Sequence, residues 1–292
     1  MAGQLIECVP NFSEGRDPAI LAAIRSAIAS IPGVRVLRTE SDPDHNRSVI
    51  TFAGPAETVG DAAFAGLKTA IERIDLRRHA GVHPRIGAAD VVPFVPLAGA
   101  TLAECAEIAH RTGQRVWNEL GVPVYFYEAA STAPHRAPLQ NIRRGGFENP
   151  ALPPDLGGPA LHPTAGAVII GARKFLIAFN VDLKTTDLAA ARAIARKIRA
   201  SSGGLPALKA IGVALPSRNI VQVAMNLTDF ERTPLDVVLA AVRMEAAAHK
   251  IEIAGVEYIG LVPRAAVEDA ASRDPEWSQF NPDLILEYRL AS

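Results

Sequence analysis

The order of elements in the second half of the chain constrains the fold most. Residues 174–181 read as a strand, 187–200 as a helix, and 207–214 and 220–227 as strands. Residues 233–250 then read as a helix, and 252–261 contain a last strand. Strand, helix, strand, strand, helix, strand is the split βαβ order of the ferredoxin-like arrangement. Ser201-Ser202-Gly203-Gly204 and Pro216-Ser217-Arg218-Asn219 supply the turns between elements.

The first half begins with the same order. Residues 3–9 read as a strand that Pro10-Asn11-Phe12-Ser13 break. Asp17 then Pro18 open a helix to about Ile31, an N-cap followed by proline at the first helical position. Strands over 34–40 and 48–54 flank a polar turn, 55–73 is a helix and 88–96 an apolar strand. A further helix covers 101–120, with Gly121 just past its end, and a strand covers 122–127. The expected fold class is therefore α/β (α+β). Two subdomains, 1–175 and 176–292, each carry a β-α-β-β-α-β-like sheet covered by helices, with a cleft or tunnel between them. Small-molecule sites favour such clefts. Residues 128–165 hold many prolines and glycines and are too long for an ordinary connection; such stretches are usually functional, linking or disordered.

Composition narrows the function classes. Lys+Arg number 30 against 31 Asp+Glu, a net charge of −1, so the chain lacks the basic field of a nucleic-acid binder. No apolar stretch reaches membrane-spanning length without a charge or a breaker, so no membrane partner is expected. The N-terminus lacks the basic and apolar regions of a signal peptide. Two cysteines, Cys8 and Cys105, cannot make a multi-disulfide framework, and Cys8, inside a strand, reads as a buried inert thiol. A reducing, cytoplasmic setting follows.

Three loops concentrate the polar residues. Asn11-Phe12-Ser13-Glu14-Gly15-Arg16 either makes a capped turn or presents Asn11 and Glu14 to a ligand. Glu40 to Arg47 gathers Glu40, Asp42, Asp44, His45, Asn46 and Arg47 into one hairpin-like turn, which solvent alone would also tolerate. Arg77 to Asp90 carries His79, His83 and Arg85 between a helix and a buried strand. Histidine is the natural proton carrier near neutral pH. Gly81 and Pro84 break any helix that could pair the two histidines on a metal, and spacing offers no third ligand, so no metal is expected. There is no nucleophile elbow, Walker A or G-x-G-x-x-G motif.

Taken together the loops resemble glutamate formimidoyltransferases, the tetrahydrofolate enzymes of histidine breakdown. The resemblance lies in Glu7-Cys8-Val9-Pro10-Asn11-Phe12-Ser13-Glu14-Gly15, Asn46-Arg47-Ser48-Val49, His83-Pro84-Arg85-Ile86-Gly87-Ala88 and Gly171 to Asn180. It continues in Gln222-Val223, Asn226 to Phe230 and Gly260 to Pro263. It implies two α/β subdomains with a folate tunnel between them, and a homodimer. It implies transfer of a formimino group from N-formimino-L-glutamate to N5 of tetrahydrofolate, a co-substrate, with His83 as general acid and base. Glu40 matches by spacing the acidic residue that would steady a cationic intermediate, and Asp42 is its rival. Asn11 and Asn46 are ligand candidates, and Arg47 and Arg85 suit substrate carboxylates, which a guanidinium pairs bidentately. The folate segment of the family resembles Gly158 to Gly166, with Pro159, His162 and Pro163. Two alternatives stay open: formyl transfer involving 5-formyltetrahydrofolate and glutamate, and a folate-binding protein without catalysis.

Overall fold

Strand alternation and one proline shape the start of the first sheet. The computed structural model describes residues 4–82 and 84–291. In its first compact unit, Met1–Lys174, β1 (Leu5–Cys8) and β2 (Asn11–Phe12) are two pieces of one path, since both pair with the same two neighbours. Pro10 has no N–H to give the ladder, and the path is interrupted there. The break expected over 10–13 is thus confined to Val9 and Pro10, and Asn11 lies in the sheet.

The helix and strands that follow keep close to their expected places. Helix α1 (Pro18–Ala29) is capped by the Asp17 side chain, which accepts from the backbone N–H groups of Ala19 and Ile20. Next come β3 (Arg35–Asp42), β4 (Arg47–Pro55), α2 (Val59–Arg73) and β5 (Ala89–Pro96). Helix α3 (Leu102–Leu120) starts with a Thr101/Glu104 capping box and stops at Gly121, at φ 65°. Strand β6 (Val124–Glu128), the one-turn α4 (Leu139–Ile142) and β7 (Val168–Ala172) complete the unit.

Over the described residues the sheet is seven-stranded, in the order β3, β4, β1 with β2, β5, β7, β6. The first members are antiparallel, as in a split βαβ arrangement. β7 lies between β5 and β6 and is parallel to both. β7 is not among the strands legible in the sequence. All five of its residues are buried, so it shows no alternation to read.

Helices α1 to α3 cover one face, over a core that includes Ile6, Cys8, Phe12, Phe52, Leu67, Phe94 and Val116. Burial pushes the Cys8 thiol well up, as an inert thiol requires. The other face carries a smaller apolar cluster of Ile86, Val91, Tyr125, Tyr127, Ile142, Ala167 and Ile169. Ile142 comes from the proline- and glycine-rich stretch, which packs on this face. The Tyr125 hydroxyl donates to the Leu152 carbonyl at 2.7 Å, and the Glu128 N–H donates to Ala137 at 3.0 Å. Asp155 accepts from the Phe126 N–H at 2.9 Å.

The second unit, Phe175–Ser292, runs β8 (Ile177–Leu183), α5 (Leu188–Ile198), β9 (Leu208–Leu215), β10 (Ile220–Leu227), α6 (Leu235–Ala248) and β11 (Ile253–Ile259). Its described strands form a four-stranded antiparallel sheet, β11-β8-β10-β9, the ferredoxin-like order. Helices α7 (Arg264–Arg273) and α8 (Leu286–Ala291), which the sequence reading did not reach, follow. α7 and Trp277 join the core beneath α5 and α6. No helix among the described residues is long and apolar enough to cross a membrane.

Candidate active site

The face of the first sheet opposite helices α1 to α3 gathers several of the expected residues by register. Directly opposed residues of an antiparallel pair point to the same side. Glu40 opposes Val49, which also opposes Asn11, and Asn11 opposes Val91 of the apolar cluster on this face. Asp42 opposes Arg47, two residues from Val49. Asn11, Glu40, Asp42 and Arg47 therefore share one face.

A bulge then brings a carboxylate to them. Phe12 pairs with Ala89 and Asn11 with Val91, so one step on β2 spans two on β5, and Asp90 is the extra residue. A bulge re-aims a side chain, here towards Arg47. Asp90 is fully buried. Its Oδ2 accepts from Arg47 Nη1 at 2.7 Å and from Arg143 Nη2. Its Oδ1 accepts from the Ile86 N–H at 2.8 Å, so the carboxylate also fixes the loop that follows His83. Arg47 Nε and Nη2 donate to Asn11 Oδ1 at 3.0 and 2.8 Å. Burial works to raise the Asp90 carboxyl, but Arg143 and Arg47 outweigh it and hold it well below the ordinary carboxylate range. Burial pushes Arg47 down to about 10, against the pull of Asp90.

His83 lies outside the described residues. Its neighbourhood is fixed from several sides. The Val82 N–H donates to Asp44 at 3.1 Å, and Ser13 holds Gly87 and Ala88 through its hydroxyl at 2.7 Å and its N–H at 2.8 Å. The turn 162–166 packs alongside: Ala88 N–H donates to Ala165, Leu76 N–H to Thr164, and Gly87 bridges Gly166. His162 closes that turn, its Nδ1 accepting from the Ala165 N–H at 3.1 Å. The backbones meet so closely that a Cβ on Gly87 would lie 1.9 Å from the Ala167 oxygen, and one on Gly166, at φ +70°, 2.0 Å from the Ile86 oxygen. Gly166→Ala is expected to cost at least about 1–3 kcal/mol through its left-handed backbone alone, read as a lower urea midpoint.

Other expected residues take different places. Asn46, at φ 46°, accepts from the Gly15 N–H at 3.0 Å and donates to the Ala80 carbonyl at 3.2 Å, so it holds three loops together. Its carbonyl accepts from His79 Nε2 at 2.8 Å. Burial lowers the His79 pKa and favours the neutral ring. His79, Asn46, Glu14 and Arg78 line a cleft of about 210 Å³. Asp42 accepts from the His45 N–H at 2.8 Å and so caps its own turn, while Glu40 pairs with Arg38 at 2.7 Å. Gly158, Pro159 and Pro163 are exposed.

Arg85, read from sequence as a carboxylate holder beside Arg47, pairs with Glu148 at 2.9 Å and reaches the His79 and Leu76 carbonyls. The arginine that joins Arg47 is Arg143, which sequence analysis did not single out. Its signal was a doubled arginine beside an isolated isoleucine, Ile142-Arg143-Arg144, inside an irregular stretch. Among the described residues, no group of three or more His, Cys, Asp or Glu side chains could hold a metal ion.

The arrangement places two guanidinium groups and a histidine-bearing loop around one buried carboxylate. Its guanidinium groups suit a carboxylate-bearing small molecule. The family model for the formiminotransferase domain, N-terminal subdomain, matches residues 5–173, and that for the formiminotransferase domain matches 178–274. A glutamate formimidoyltransferase of Thermoplasma acidophilum is 45% identical over 98% of this chain and 97% of its own length. One of Streptococcus pyogenes serotype M1 is 43% identical over 92% of both. The formimidoyltransferase-cyclodeaminase of Rattus norvegicus is 43% identical over 92% of this chain, which spans 52% of that protein. The chain belongs to the formiminotransferase family.

Proposed function

We propose that the chain is a glutamate formimidoyltransferase, which moves the formimino group of N-formimino-L-glutamate to N5 of tetrahydrofolate and releases L-glutamate. The observation that carries this reading is the Asp90 carboxylate, which holds Arg47, Arg143 and the backbone of Ile86 just after His83-Pro84-Arg85. One buried group thereby ties a pair of guanidinium groups to the loop that would move the proton.

The chemistry is amine attack on an amidine carbon. The amidine is protonated at neutral pH and already electrophilic. A bond forms from N5 to the amidine carbon, and the bond from that carbon to the glutamate nitrogen breaks. N5 must lose a proton and the departing nitrogen must gain one. His83 takes the first and returns the second, a role worth roughly 10²–10⁴-fold. Glu40, on the same sheet face as Arg47 and Asn11, is the carboxylate for the cationic intermediate. Asp42, its rival, caps its own turn, while Glu40 would have to leave Arg38 to serve there.

The test mixes purified protein with tetrahydrofolate and N-formimino-L-glutamate. The mixture is acidified and the absorbance of methenyltetrahydrofolate followed. A signal that needs both substrates and the protein is expected. No signal from protein that still binds tetrahydrofolate overturns formimino transfer, and protein that binds no folate overturns the folate reading altogether.

A further inference from the structure

We propose that Arg143 is a carboxylate-binding residue of this site, with the Arg47–Asp90–Arg143 cluster as a cationic cradle that one ligand carboxylate completes. The proposal rests on the functional reading above for the identity of the ligand and on the cluster itself for the chemistry.

Two guanidinium groups share Asp90, whose side chain is fully buried, while those of Arg47 and Arg143 are only 11% and 16% exposed. Glu40 pairs with Arg38, and Glu148 with Arg85. Within the cluster itself two guanidinium groups meet one carboxylate, and all three side chains are held largely out of water. A cation so placed is costly unless an anion joins it.

The two arginines are not equivalent. Arg47 gives Nη1 to Asp90 and Nε and Nη2 to Asn11, so its fork is spent within the protein. Arg143 gives Nη2 to Asp90, and its Nε is buried with no hydrogen-bond partner among the described residues. A guanidinium whose fork is only partly engaged is the group that can take a carboxylate bidentately. Its backbone position is secured: Arg143 caps α4, its N–H donating to Leu139 at 3.0 Å, and the preceding Ile142 is fully buried on the sheet. Arg47 therefore sets the charge and the place of Asp90, and Arg143 meets the ligand.

Both substrates of the proposed reaction bear glutamate carboxylates, and the test separates them. Wild type, Arg143→Gln and Arg143→Lys are compared as full chains by thermal melting. L-glutamate and tetrahydrofolate are titrated by calorimetry, and KM and kcat are measured for both substrates. The expected result is L-glutamate binding weakened, and the KM for N-formimino-L-glutamate raised, by about 10- to 100-fold in Arg143→Gln. kcat should move much less, and Arg143→Lys should recover part of the loss, keeping the charge without the planar fork.

A loss confined to tetrahydrofolate would assign the cradle to the pteroylglutamate carboxylate and leave the role of Arg143 standing. A folded Arg143→Gln that binds both ligands like wild type, or loses kcat alone, overturns the proposal. If Arg143→Gln does not fold, Arg143→Lys decides, and unchanged affinities there overturn it. Wild type that binds both ligands yet transfers no formimino group would sink the functional reading, while the titrations would still judge Arg143.

Discussion

Replacing His83 with alanine is expected to lower turnover by about 10²–10⁴-fold while leaving the affinity for tetrahydrofolate little changed. The reaction sets this split. Binding of folate needs no proton transfer, whereas formimino transfer needs one proton removed from the attacking nitrogen and one given to the departing nitrogen. An imidazole can do both near neutral pH. The loop itself should survive the substitution, because its flanks are held by other groups: Val82 by Asp44, Ile86 by Asp90, and Gly87 by Ser13. Added imidazole should restore part of the rate of His83→Ala. Steady-state kinetics beside a folate titration makes the comparison. An equal loss of turnover and of folate affinity would mean that His83 positions ligand and moves no proton.

Much of the fold was legible because its signals are local. Asp17-Pro18 marked the start of α1, and Gly121 marked the end of α3 by adopting the left-handed conformation that glycine tolerates. The strand order of the second sheet followed from the order of its elements. β7 was hidden for the converse reason. A strand buried on both faces has no polar residue to keep time against. The site divides along the same line. Asn11, Glu40 and Arg47 stand in polar runs that break an apolar pattern, and the sheet register brings them to one face. The partner of Arg47 depends on a bulge at Asp90 and on a side chain 53 residues further along the chain. Neither leaves a periodic trace. Arg85, nearer in sequence, looked the better partner, and its pairing with Glu148 is equally non-local.

The Asp90 cluster makes its own demand on stability. Asp90→Ala leaves Arg47 and Arg143 facing each other without an anion and the Ile86 N–H without its acceptor. Breaking a buried charge pair in this way is expected to cost about 3–5 kcal/mol, a large part of the roughly 5–15 kcal/mol typical of a folded domain. Asp90→Asn keeps the shape and the acceptor for Ile86, but it removes the charge and puts an NH2 donor where Oδ2 accepts from both arginines, so its pH dependence reads the charge together with those two bonds. Burial opposes ionisation of Asp90, yet Arg143 and Arg47 prevail and keep the carboxyl low in the folded protein. The folded state therefore binds fewer protons at this position than the unfolded chain across the ordinary carboxylate range. The contribution of Asp90 is complete above about pH 4 and fades as pH falls through the lowered folded value. Urea midpoints at neutral pH should accordingly separate wild type from Asp90→Asn widely, and the gap should close on acidification as wild type loses what the variant never had. A gap that stays constant down to pH 3 would mean that shape and hydrogen bonding, not charge, hold the loop beside His83.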